Sequence, residues 1–455
     1  MNGCMMAFGL ASIALCIGVF LRAKVPMFRN MLVPASVIAG VLGLIFMNTV
    51  PLTGLDLGTD AGMFANIVNQ RFTLSFISIG LVSVKSSEGS TAGHITKGAW
   101  AMGILWCFIY TITPLIGMGL GYLFGDHFNF DPVYTTLVQF GFAQGPGPTV
   151  SFGTMFENNG WENAVMVGIT FAAAGFFAAF GLGIPMARYA IKHRLAKHSG
   201  KLDDATLRGY MLPQEQTEYM IKDTTSTGNI ETLTLHFALV GLCYVMGVGI
   251  SKILALIPGF VGETISGMMF MNGMYAAYIV KWVMKKCGIP YVQNEELQSK
   301  ITNLATDFIV VCSFMAVSVS VIGQWIVPIL IECVVVAVFT MFACIYFCKR
   351  IGGENDLERT LALYGTTTGT VPSGISLVRI IDPEFKTTTA VELGLMNLIM
   401  YFNTPVYVLL LGYVSGEIAP IAMAGILVAF SVGFLLVLKL TGCWGKPGFS
   451  WKKAD

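Results

Sequence analysis

Two stretches of this chain break the apolar runs around them in the same way. Gly141-Phe142-Ala143-Gln144-Gly145-Pro146-Gly147-Pro148-Thr149 and Gly365-Thr366-Thr367-Thr368-Gly369-Thr370-Val371-Pro372-Ser373 lie 224 residues apart. At that one offset Gly meets Gly twice, Pro meets Pro, and Thr149 meets Ser373. Gly and Pro interrupt helices. Interrupted backbone at membrane depth must be buried in protein or line a wet cavity, because lipid cannot hydrogen-bond its N–H and C=O groups. A pair of such breaks, one per half of the chain, is the sequence signature of a binding site in a secondary transporter.

The membrane follows from composition. Apolar residues make up 55% of the chain and charged residues 12%, about half the charge of a soluble domain, and the mean hydropathy is +0.71. A net charge of +1 points away from nucleic acid. Apolar runs long enough to span are expected at 3–22, 32–50, 71–86, 98–125 and 162–191, with the first broken stretch inside 132–157. The third run could begin near Ala61, with Arg71 at a break. After a polar linker over 194–229 come 230–257, 262–284, 302–322, 325–348 and 387–413, with the second broken stretch inside 357–381. A further helix, 417–440, has no counterpart in the first half. The expected fold is all-α: an inverted repeat of two five-helix halves (1–193 and 230–413), each with a re-entrant hairpin, plus an extra C-terminal helix and tail (414–455). Basic residues cluster in alternate loops, among them Arg22, Lys24 and Arg29, then Arg188, Lys192 and Arg194, then Lys281, Lys285 and Lys286, then Lys349 and Arg350. By the positive-inside rule this puts the N-terminus outside and the C-terminus in the cytoplasm; five spans per half, an odd number, make the two halves face opposite ways. The ten cysteines are spread without paired spacing and read as reduced thiols.

The broken stretches suggest their own chemistry. A small hard cation wants oxygen ligands, which freed carbonyls and hydroxyls supply; Ser151, Thr366, Thr367, Thr368 and Thr370 are the candidate sodium ligands. Each hydroxyl could equally bond back to its own helix. Anions favour the N-termini of half-helices, which places Gly145, Gly147, Thr149 and Ser373 at a candidate anion site. Gln144 could bind substrate or close its own turn. Arg379 could hold a carboxylate in its fork, or pair with Asp382 or Glu384. Buried Glu332 needs a partner or a proton. Asp307 suits helix-entry capping or an ion site. Asn272, Asn397 and Asn403 could line a cavity or join helices. Enzyme motifs such as P-loop, HExxH and GxSxG are absent from the sequence, so no enzyme is expected.

Several motifs resemble the bacterial sodium/glutamate symporter family. They are Pro34-Ala35-Ser36-Val37-Ile38-Ala39-Gly40, Ser78-Ile79-Gly80-Leu81, the two glycine-bearing stretches, and Pro185-Met186-Ala187-Arg188-Tyr189-Ala190-Ile191-Lys192-His193. The resemblance implies sodium-coupled uptake of glutamate across the bacterial inner membrane. It also implies a homodimer with a scaffold part and a moving part, Na+ as coupling ion and no organic cofactor. The Gln-Gly-Pro-Gly-Pro run, the threonine run and Arg379 depart from the family pattern, leaving a di- or tricarboxylate substrate as the alternative.

Overall fold

The structure, a computed structural model, describes residues 3–82, 91–196, 198, 208–215, 223–226, 228–352, 355–383 and 385–445. Among the described residues it is helical, without a strand. The first half contains α1 (Gly3–Lys24), α2 (Ala35–Thr49), α3 (Ala61–Leu81) and α4 (Thr91–Phe128). A short turn at Pro132–Thr135 follows, then the pair α5 (Val138–Ala143) and α6 (Pro146–Asn158), then α7 (Ala164–Lys192). The second half contains α8 (Thr232–Leu254), α9 (Gly259–Gly267), α10 (Met269–Lys286), α11 (Glu295–Met315) and α12 (Ile326–Ile351). The pair α13 (Asp356–Thr368) and α14 (Val371–Ile381) comes next, then α15 (Thr389–Met396), α16 (Thr404–Val414) and α17 (Pro420–Leu440).

Eight helical segments among the described residues are long and apolar enough to cross a membrane. This is a multi-pass membrane protein. Helices α3, α10 and α11 fall outside that set because of their polar content: Asn66, Asn69, Gln70 and Arg71 on α3, Asn272 and Lys281 on α10, Asn303 and Asp307 on α11. They compensate by packing on one another. Helix α3 packs most extensively on α11 and α10, and α11 also packs on α2. The ends of α3 and α11 are fastened by the opposite half. Asn48, in α2, donates to the Val317 carbonyl (2.8 Å) and accepts from the Val319 N–H (2.8 Å), just past the end of α11. At the end of α3, Lys281 donates to the Val82 carbonyl (3.0 Å) and Gln293 to that of Leu81. The same job is done twice with the halves exchanged.

Several expected boundaries shift for local reasons. Helix α3 runs uninterrupted through Arg71, which lies within it and not at a break; residues 83–86 of the expected third span lie outside the described residues. The expected span 262–284 is divided at Met268, where Asn272 takes the carbonyls of Ile265 (2.9 Å) and Ser266 (3.4 Å). Helix α11 starts at Glu295, earlier than 302, because Asn294 caps it through the N–H groups of Glu296 and Leu297. Asp307 therefore sits in mid-helix, and the helix-entry reading of that residue is corrected. The run 387–413 is split into α15 and α16 by a 3-10 turn at Met400–Asn403. Parts of the 194–229 linker, together with tail residues 446–455, lie outside the described residues.

The base of the second pair is locked by a buried ion pair. Arg359 of α13 (4% exposed side chain) meets Glu392 of α15 (0%) through two parallel bonds, Nε to Oε2 at 2.7 Å and Nη2 to Oε1 at 2.8 Å. Its third nitrogen donates to the Gly352 carbonyl, and Thr388 donates to Glu392. Removing one partner strands a buried charge, at about 3–5 kcal/mol. Glu392→Ala is expected to lower the thermal midpoint in detergent sharply, while the double variant Arg359→Met, Glu392→Leu regains most of the loss.

Candidate functional site

Each interrupted stretch is a tight helical hairpin. In the first, Phe140 of α5 stacks on Phe152 of α6 with ring centroids 3.9 Å apart. In the second, a Cβ on Gly365 would lie only 2.7 Å from the Gly374 Cα, so the arms touch backbone to backbone. The two tips meet. A Cβ on Gly145 would fall 2.6 Å from the Thr370 methyl and 3.3 Å from the Gly369 carbonyl oxygen. Both hairpins also press on one residue of α7: a Cβ on Gly175 would lie 2.4 Å from the Thr368 oxygen and 3.5 Å from the Phe142 Cα. Gly175 lies in the interior of a 29-residue helix, so the meeting point is remote from either helix end. Gly145 adopts φ 80° and ψ −169°, a region essentially restricted to glycine.

The tip offers free backbone groups of both signs. Neither α6 nor α14 has a side-chain cap, so their N-terminal dipoles face the junction. Pro146 and Pro148 lack N–H groups, which leaves Gly147 as the single donor among the first three residues of α6. On α14, the N–H groups of Ser373 and Gly374 are taken by the Thr370 carbonyl (2.9 and 3.1 Å). Val371 supplies the leading N–H there. Helix α13 ends at Thr368, and a helix end leaves its last carbonyls without helical partners.

All the candidate hydroxyls but that of Ser151 bond within their own hairpins. Thr366, Thr367 and Thr368 donate to Ala362, Leu363 and Tyr364 at 2.7–2.8 Å, and Thr149 donates to Gly145 at 2.8 Å. Thr370 and Ser373 hydroxyls pair at 3.3 Å. A hydroxyl that donates its proton keeps lone pairs for a cation. Ser151 reaches outside its hairpin, donating to the side-chain oxygen of Asn69 on α3 (2.9 Å). Gln144 does not close its own turn. It donates to the Tyr407 hydroxyl on α16 (2.6 Å), and its buried amide oxygen has no partner. Trp106 of α4 donates to the Ala143 carbonyl (3.2 Å) and fixes the end of α5.

Arg379 stands in the last turn of α14 on an exposed face with Pro372. Its guanidinium lies over Phe385, 5.2 Å from the ring centroid. Asp382 instead accepts from Lys386 N–H, Thr387 N–H and Thr387 Oγ1, and Glu384 lies outside the described residues. Arg22, at the end of α1, is near enough to Arg379 for the two cations to repel. Asn272 and Asn403 join helices: Asn272 donates to Ser251 (2.8 Å), and Asn403 contacts Thr111 and the Cys107 carbonyl (3.4 Å each). Asp307 has Ser36 as a hydrogen-bonding neighbour. Sequence reasoning missed Asn69, Tyr407 and Trp106. Asn69 carried a signal, being an amide in a helix of otherwise useful apolar length; the two aromatics carried none.

A family model described as sodium/glutamate symporter matches residues 3–386. The chain belongs to the sodium/glutamate symporter family. Similar relatives are a sodium/glutamate symporter of Escherichia coli (strain K12) and one of Shigella flexneri. Each is 22% identical over 386 residues, covering 82% of this chain and 88% of the relative. The span matched by the symporter model takes in both hairpins and ends before α15. Within this symporter-family chain, Gly145→Ala is expected to strain the backbone by about 1–3 kcal/mol and to drive a methyl group into Thr370. The check is a lower thermal midpoint than wild type in detergent, set against the control Gly119→Ala, whose added Cβ meets nothing within 4 Å and which is expected not to lower the midpoint.

Proposed function

We propose that this protein is a sodium-coupled symporter that imports glutamate by alternating access, with the junction of the two hairpin tips as its binding site. The observation that carries this reading is the contact of Gly145 with Gly369 and Thr370 beside Gly175. It brings two uncapped helix N-termini and the carbonyl end of α13 to one place. The N-termini suit the substrate carboxylates, through Gly145, Gly147, Thr149 and Ser373, with Gln144 beside them. The carbonyls and hydroxyls of Thr366, Thr367, Thr368 and Thr370 suit sodium, and Ser151 with Asn69 extends the oxygen set. The relatives' names supply the ion and the substrate.

In this reading Arg379 works at the entrance. It shares an exposed face of α14 with Pro372, and Arg22 lies across from it. Two guanidinium groups there raise the local concentration of an anion before it reaches the tips. The moving part is the group of α4, α7, α12 and the two hairpins, which pack on one another. The scaffold is α1, α2, α3, α8, α10 and α11, and two such chains form the homodimer. The two halves act as an inverted repeat with re-entrant hairpins, as the exchanged fastenings at Asn48 and at Lys281 with Gln293 support. One sodium ion gains about 2.3 kcal/mol at −100 mV, and a tenfold gradient adds about 1.4 kcal/mol. An anionic substrate moving against the potential calls for more than one ion per cycle.

The test is uptake of labelled glutamate into proteoliposomes under an imposed inward sodium gradient. Uptake is expected to collapse when choline replaces sodium or a sodium ionophore is added. Sodium-independent uptake, or none with any acidic amino acid, would sink the reading; strong competition by malate or citrate would move it to the other organic anions. Arg379→Gln is expected to raise the glutamate KM several-fold with little change in kcat, measured in the same vesicles.

A further inference from the structure

Glu332 of α12 has no role in the tip junction, yet it is the one acid in the described core that the fold buries and leaves bare. Its side chain is 1% exposed, and neither carboxyl oxygen has a hydrogen-bond partner. The seat is built for it: Gly117 on α4 has no side chain, and a Cβ there would lie 2.2 Å from Glu332 Oε1. A small cavity opens beside the carboxyl, lined by Gly121 and Phe124 of α4, by Phe130 and Thr135 at the base of the first hairpin, and by Pro328. Thr135 spends its hydroxyl proton on the Pro132 carbonyl (2.6 Å). None of the residues lining the cavity besides Glu332 is charged or titratable, and the neighbouring titratable group on its own helix is the buried thiol of Cys333. Glu392, by contrast, is equally buried but held by Arg359 and Thr388.

We propose that Glu332 is a proton-binding site, and that its proton keeps the base of the first hairpin seated against α4 and α12. An unpaired carboxylate in this apolar seam would be costly, whereas the neutral acid fits it. The carboxylate takes one proton from water to form the acid and returns the same proton to water on release; no other bond changes. When the proton leaves, water must follow the charge into the seam between Gly117, Thr135 and Glu332, and the hairpin base loosens. Because the hairpin carries one tip of the proposed binding site, transport falls as pH rises. That last step rests on the proposed function; the proton site itself does not.

The test compares the full chain with Glu332→Gln, which keeps the shape and cannot ionise; Glu332→Met serves if the Gln variant folds poorly. Thermal stability in detergent is followed from pH 5 to pH 9. A carboxyl kept protonated by the fold contributes stability that is present at low pH and is lost as pH rises above the unfolded value. The wild-type folding constant is therefore expected to fall relative to the variant by up to tenfold per pH unit. Superimposable pH curves overturn the proton site. In proteoliposomes under a fixed sodium gradient, wild-type uptake is expected to decline with pH and the variant's to stay level. A stability difference with identical uptake profiles overturns the link to the hairpin. Absence of sodium-driven uptake in both proteins overturns the proposed function instead, and the stability comparison then decides the proton site alone.

Discussion

Unfinished backbone in a non-aqueous interior is the constraint from which this structure is built. A helix that stops short leaves N–H or C=O groups that lipid cannot take. Here two helices stop, in two places 224 residues apart in sequence, and the fold brings the two interruptions against each other. Gly145 and Gly175 are the residues that let three backbones converge. A side chain at Gly145 would strike the opposite tip, and one at Gly175 would press the hairpins away from α7. The hairpins are stiff up to the tip, through the stacked Phe140 and Phe152 and the bare contact of Gly365 with Gly374. The polar groups at the junction are thus presented at fixed positions.

Around this junction the helices sort by what they need. The apolar helices α1, α8, α12 and α17 carry many exposed large hydrophobic side chains suited to lipid. The more polar α3, α10 and α11 shelter among neighbours, and α3 adds Asn69 and Phe72 to the face that meets the first hairpin: Asn69 bonds Ser151, and a Cβ on Gly147 would strike the Phe72 ring at 1.9 Å. Contact between α3 and α6 thus includes a ring against a glycine and one amide–hydroxyl bond. Such a surface has little directional bonding to lose if one side slides along the other.

Much of this was legible in the chain. The matching Gly, Pro and Thr/Ser positions marked both hairpins before any coordinates, because a helix break needs those residue types wherever it occurs. The long spans were legible because an apolar run of that length has one common use. The start of α3 near Ala61 was legible as well; its end, and the boundaries of α10 and α11, were not. Their ends are set by distant side chains, Asn48 for α11 and Lys281 with Gln293 for α3, and a cap such as Asn294 looks like any loop asparagine until the chain is folded. The partners at the tip were hidden for the same reason. Tyr407 meets Gln144 across 263 residues of sequence, and nothing in the local apolar run distinguishes that tyrosine from its neighbours. The role of Arg359 was not legible either, since the partners of its three nitrogens, Glu392 and the Gly352 carbonyl, lie on other segments.

The fastening of α3 has a consequence for biosynthesis. Its last carbonyls are received by Lys281 and Gln293, which follow Val82 and Leu81 by 199 and 212 residues. At about 5–20 residues per second, a ribosome delivers those partners roughly 10–40 s after the end of α3 has been made. During that interval a helix bearing Arg71 and several amides waits in the membrane without its final neighbours. The amino-terminal half cannot complete its assembly as an autonomous unit; it must be held open until the later helices are threaded in.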